Sequence, residues 1–128
     1  MIPELTGLVV QGDGRGRALG FPTANLHCDG GGLPADGIYA AWAAVDGEAR
    51  EWEASVSVGA NPTFDGLRER RVEVHLHDAD LDLYGLRMRI RLVAFLRPTL
   101  RFDDAEALIA QTVLDVEQCR RILAGRVD

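Results

Sequence analysis

Between Gly12 and Asn25 the chain places four glycines, two arginines, a proline, a hydroxyl and an amide within fourteen residues. Glycines allow tight turns and close approach of backbone to a ligand. Backbone N–H groups in such a loop, flanked by Arg15 and Arg17, suit a polyphosphate. Thr23 and Asn25 stand at i and i+2, so in an extended segment their side chains point the same way. Both offer oxygen, the ligand type Mg²⁺ prefers when nucleotide phosphates already carry it. The plainer alternative is a charged surface loop. No Gly-Lys-Ser/Thr follows, so this is not a Walker motif. Gly12-Asp13-Gly14-Arg15-Gly16 is a poor dinucleotide fingerprint, because Pro22 breaks the helix that should follow it.

Glu73 is the second group of chemical interest. It stands mid-strand in a segment where Val72, Val74 and Leu76 take one face and Glu73, His75 and His77 the other. Such a Glu is either part of a solvated face or a partner for Arg71 or Arg91. Alternatively it is a general base, held on a rigid strand to take a proton from an attacking hydroxyl. Phosphoryl transfer needs a phosphate cradle, a metal and a group that orients the nucleophile, and the chain offers a candidate for each. His75 and His77 with Glu73 could instead hold zinc, although no third ligand stands at suitable spacing. Ser55 and Ser57 are the only serines, and neither occupies a nucleophile elbow.

These groups need a scaffold, and the pattern predicts short strands. Leu5 to Gln11 reads as a strand leading into the glycine loop. Leu26 to Asp36 reads as irregular, with Gly30-Gly31-Gly32 and Pro34 inside it. Ile38 to Val45 and Trp52 to Val58 read as strands joined at an Asp46-Gly47 hairpin. Gly59 to Gly66 reads as a turn-rich loop, Arg71 to His77 as a strand, and Asp78 to Gly85 as an acidic turn. Leu86 to Leu96 alternates again, with Leu86, Met88, Ile90 and Leu92 opposite Arg87, Arg89 and Arg91. Short strands punctuated by turns predict a small antiparallel barrel. The period then changes. Asp103 with Glu106 predicts a helix start. Leu108, Ile109, Thr112, Val113, Val116, Cys119 and Leu123 fall at helical spacing, and Gly125 predicts the stop. That stripe reads as a face packed on the barrel, with Cys119 as a small core residue.

The 128 residues are expected to form one domain with a real core. A net charge of −6 without a basic run argues against nucleic acid as the main partner. The chain has no lysine, which excludes a lysine nucleophile, a Schiff base and a P-loop lysine. Cys28 and Cys119, without metal spacing, read as reduced thiols in a cytoplasmic protein. No apolar run has membrane length and no signal peptide is apparent. Nothing demands more than a monomer.

The chain resembles the riboflavin kinase family from Leu5 to Leu123. The family's signature Gly-x-Pro-Thr-Ala-Asn stands at Gly20-Phe21-Pro22-Thr23-Ala24-Asn25. Further blocks are Leu33 to Tyr39, Gly59 to Phe64, Val72 to Leu76, Asp82 to Gly85 and Phe95 to Pro98. The resemblance implies a mainly β fold, a six-stranded antiparallel Greek-key barrel with a C-terminal α-helix. It implies ATP-dependent phosphorylation of the ribityl 5′-hydroxyl of riboflavin, giving FMN and ADP. Thr23 and Asn25 would bind Mg²⁺, or another divalent cation such as Zn²⁺, together with the terminal phosphates. Gly14, Gly16, Arg17, Gly20 and Pro22 would belong to the loop that closes over the nucleotide. Glu73 would activate the hydroxyl. Arg97 would order the flavin side, with Tyr84 on the same rim. The chain lacks the His-x-Gly-His-type motif of the adenylyltransferase that accompanies bacterial members, so FAD synthesis is not expected. A same-fold kinase for a flavin analogue and a retired flavin- or nucleotide-binding module are the competing readings.

Overall fold

In the computed structural model the described residues are 4–10, 24–29, 33–62, 68–77, 83–98 and 104–125. They form β1 (Glu4–Val10), β2 (Ala24–Cys28), β3 (Gly37–Val45), β4 (Glu51–Pro62), β5 (Arg68–Leu76), β6 (Arg87–Arg97) and α1 (Ala105–Ala124). The strands close into a barrel in the order β1-β2-β5-β4-β3-β6, each neighbouring pair antiparallel. β3, β4 and β5 are consecutive neighbours and β6 returns beside β3, which is a Greek key.

Period-two alternation builds the barrel. Leu5, Val9, Leu26, Val56, Val58, Val72, Val74, Met88, Ile90 and Leu92 fill the interior. On β6 the intervening Arg87, Arg89 and Arg91 are exposed. β3 is rich in alanine, a residue depleted in strands. Here the small side chains fit a strand covered on both sides: Ala41 and Ala43 face the core, while Ala40 packs with Cys119 and Leu123 of α1. Gly7 is required by close approach, since a Cβ there would collide with the His27 carbonyl on β2.

The structure corrects several boundaries. Residues 24–28, mostly assigned above to an irregular stretch, form β2, paired to both β1 and β5. β4 continues to Pro62 and β5 begins at Arg68, so the supposed loop from Gly59 is partly strand. Pro62 ends β4, a position where a missing N–H is tolerated. The helix is capped by Asp104 rather than Asp103: the Asp104 Oδ1 accepts the Ala107 N–H at 2.8 Å. Val113, placed above on the packed stripe, is 42% exposed, whereas Asp115 is buried.

Candidate active site

Asn25 on β2 and Glu73 on β5 are direct cross-strand partners. Their neighbours along the strands, Ala24, Leu26, Val72 and Val74, point into the core. Asn25 and Glu73 therefore share the outer face, where both are half-buried. A directly opposed pair brings Cβ atoms to about 5 Å, close enough for two groups to act on adjoining atoms of one substrate.

The row extends in both directions. Val10 of β1 pairs with Asn25. On the other side Glu73 pairs with Ser57, Ser57 with Ile38, and Ile38 with Arg97. One outer-face row thus runs Val10, Asn25, Glu73, Ser57, Ile38, Arg97 across all six strands. At about 4.8 Å per strand, Glu73 and Arg97 lie about 14 Å apart along the curved surface. That span is long enough for an elongated ligand lying across the outer face.

Arg97 is held by α1. Its Nε donates to Asp115 Oδ1 at 3.0 Å and its Nη2 to Asp115 Oδ2 at 2.7 Å. Nη1 donates to the Pro98 carbonyl at 3.0 Å. Gln111 Nε2 also donates to Asp115 Oδ1, at 3.0 Å. Tyr84 is exposed in the turn before β6. Gly85, with φ of 83°, allows that turn. Its N–H donates to the Val9 carbonyl, and the Val9 N–H to the Leu86 carbonyl, which docks the turn beside the Val10 end of the row. Tyr84 and Arg97 therefore stand at opposite ends of β6, with the Asn25–Glu73 pair between them along the row.

Thr23, Gly14, Gly16, Arg17, Gly20 and Pro22 lie outside the described residues. Sequence reasoning missed Asp115, Gln111 and Ser57. Asp115 carried a signal: it stands in phase with Thr112 and Cys119 on the packed stripe, where an acid needs a buried partner.

His75 and His77 meet edge to face with ring centroids 5.3 Å apart, and Ser55 Oγ shares a 2.6 Å hydrogen bond with His77 Nε2. Among the described residues no three His, Cys, Asp or Glu side chains gather as metal ligands. Ser55 Oγ also lies 3.4 Å from the Cys119 thiol. Burial pushes that thiol up to about 11, against a smaller lowering by Ser55 and with Asp115 and Glu53 adding to the rise. Cys28 is also raised, first by burial and then by Asp29.

The family description "Flavokinase: Riboflavin kinase" matches residues 2–123. The chain is 38% identical over 125 residues to the riboflavin kinase of Mus musculus, covering 91% of this chain and 78% of that one. It is 39% identical over 123 residues to the bifunctional riboflavin kinase/FMN adenylyltransferase of Listeria monocytogenes, covering 95% of this chain but spanning only 38% of that relative's length. Among solved structures it resembles a Streptococcus pneumoniae chain described as a macrolide-efflux protein, with TM-score 0.83 and 37% identity over 91% of this chain and 38% of that one. Among the described residues no helix is long and apolar enough to cross a membrane. The fold is also that of riboflavin kinase from Trypanosoma brucei, with TM-score 0.63 and 24% identity over 96% of this chain and 80% of that one. A family match across nearly the whole chain, together with a stand-alone relative covered over most of its length, establishes that this chain belongs to the riboflavin kinase family.

Proposed function

We propose that residues 1–128 act as one kinase domain that transfers the terminal phosphoryl group of ATP to the ribityl 5′-hydroxyl of riboflavin, giving FMN and ADP. The observation that carries this reading is the direct pairing of Asn25 with Glu73 on the outer face of the barrel. Glu73 accepts a hydrogen bond from the 5′-hydroxyl, orients its oxygen toward phosphorus and takes its proton as the new P–O bond forms. The bond to the ADP oxygen breaks, and Glu73 returns the proton to water. Asn25, one strand away, holds the phosphate end beside the hydroxyl.

The donor types fit a hard divalent cation brought in on the nucleotide: Asn25, which carries an amide oxygen, is paired with the carboxylate-bearing Glu73 on the outer face, and few protein ligands are needed when phosphates supply the rest. Asn25 with Thr23 would hold Mg²⁺, which when bound neutralises phosphate charge. Gly14, Gly16, Arg17, Gly20 and Pro22 would contribute to nucleotide binding, and Arg97 and Tyr84 would flank the flavin. The domain works as a monomer in the cytoplasm on small molecules, without nucleic acid or membrane. Its net charge of −6 and free thiols are consistent with that setting.

The test is incubation with riboflavin, ATP and Mg²⁺ followed by separation of the flavins, run beside Glu73→Gln. FMN and ADP in equal amounts, with the variant impaired but still binding nucleotide, is the expected result. ADP·Mg²⁺ binding with no FMN from riboflavin would overturn the reading in favour of another flavin-like alcohol or a module without turnover.

A further inference from the structure

We propose that Asp115 is a positioning residue for the flavin end of the site: from α1 it fixes the Arg97 guanidinium, so that the helix shapes substrate recognition without touching substrate. This rests on the kinase reading above and on Arg97 facing the flavin. The pair is bidentate, at 3.0 and 2.7 Å, and its side chains are only 17% and 8% exposed. Bidentate geometry fixes the plane of a guanidinium as well as its place. Gln111 fixes the carboxylate in turn, at 3.0 Å.

Energetics favour a directional role over a stabilising one. Desolvating two charges consumes most of what their attraction returns, so a buried pair is a weak source of net stability. Nor does the helix depend on it for attachment, since Cys119 and Leu123 are fully buried against Ala40, Trp42, Val93, Ala94 and Leu96. What the pair adds is a defined direction for the residue that ends the Asn25–Glu73 row.

The experiment is a double-variant cycle of Asp115→Asn and Arg97→Gln, read as KM for riboflavin, KM for ATP, kcat, riboflavin affinity by flavin fluorescence, and Tm. Asp115→Asn is expected to raise the riboflavin KM and Kd about ten-fold, the effect of losing one charge-assisted hydrogen bond. The ATP KM should stay within about two-fold, as expected for a site several strands away. The double variant should bind riboflavin no worse than Arg97→Gln alone. Gln111→Ala, which leaves both charges in place, should shift riboflavin binding about two-fold in the same direction and decides the matter if Asp115→Asn does not fold. Additive effects in the cycle, or equal losses for both substrates, would overturn the role of Asp115 while FMN formation upheld the kinase reading. Flavin binding without FMN formation would overturn the kinase reading, and the affinity cycle would still decide the role of Asp115.

Discussion

On the outer face of β4, Ser57 and Ser55 are two residues apart and point the same way. Ser57 is level with Glu73 and, beyond it, Asn25. Ser55 is level with His75 and with Ala40, under α1. The first patch is half-buried and carries the candidate chemistry. The second is sealed at its centre: Ser55, itself half-buried, bonds His77 Nε2 and lies 3.4 Å from the Cys119 thiol, and both His77 and Cys119 are buried. Side-chain types do not separate the two patches, since each holds a serine and titratable groups. Cover separates them. Beneath α1 the Ser55, His77 and Cys119 groups pack together, whereas Asn25, Ser57 and Glu73 are only partly buried.

Substitutions can break that contrast. Glu73→Gln on the open patch should lower kcat about 10²–10⁴-fold, the usual contribution of a positioned base, while leaving Tm nearly unchanged. A matching loss of Tm would show that Glu73 is structural. Leu123→Ala under the helix should do the reverse, costing about 2–5 kcal/mol of stability in chemical denaturation. Ser55→Ala should cost about 1–2 kcal/mol, since His77 Nε2 and the Cys119 thiol lose a partner. A large effect of Ser55→Ala on riboflavin turnover with stability intact would place chemistry on the sealed side. The smallest effect is in alkali. The folded protein holds the Cys119 proton more tightly than the unfolded chain, so stability should decline as pH rises from the ordinary thiol value of 9.0 through about 11. Cys119→Ala should flatten part of that decline in Tm-versus-pH curves, and Cys28 should react first with a thiol reagent.

The sequence pattern and the structure agree most closely where one physical rule dominates. β6 alternates Met88, Ile90 and Leu92 against three arginines, and the fold follows that alternation. β2 was hidden because it is five residues long, sends just Ala24, Leu26 and the partly buried Cys28 toward the core, and is bordered by Pro22 and three glycines. Its strand character comes from two partners that local sequence cannot announce. The site was legible in the same uneven way. Asn25 and Glu73 could be picked out singly, but their adjacency depends on β2 pairing with β5, forty-odd residues away in the chain. Asp115 was overlooked because an acid on a helix ordinarily faces water; its phase with Thr112 and Cys119 hinted at burial, but its partner Arg97 is visible only in the fold.

The Val10–Asn25 pair has a consequence for evolution and engineering. It ties together the two ends of the intervening glycine-rich segment, so the barrel has already met the entropy of bringing those ends side by side. Doubling the length of that segment adds only about 0.6 kcal/mol to the closure cost. Insertion, deletion or grafting from a relative in that segment should therefore make little demand on the barrel, and would test the nucleotide role proposed for it. The framework and the segment are joined at one pair of residues, and a library of exchanged segments could be built on this scaffold from that junction.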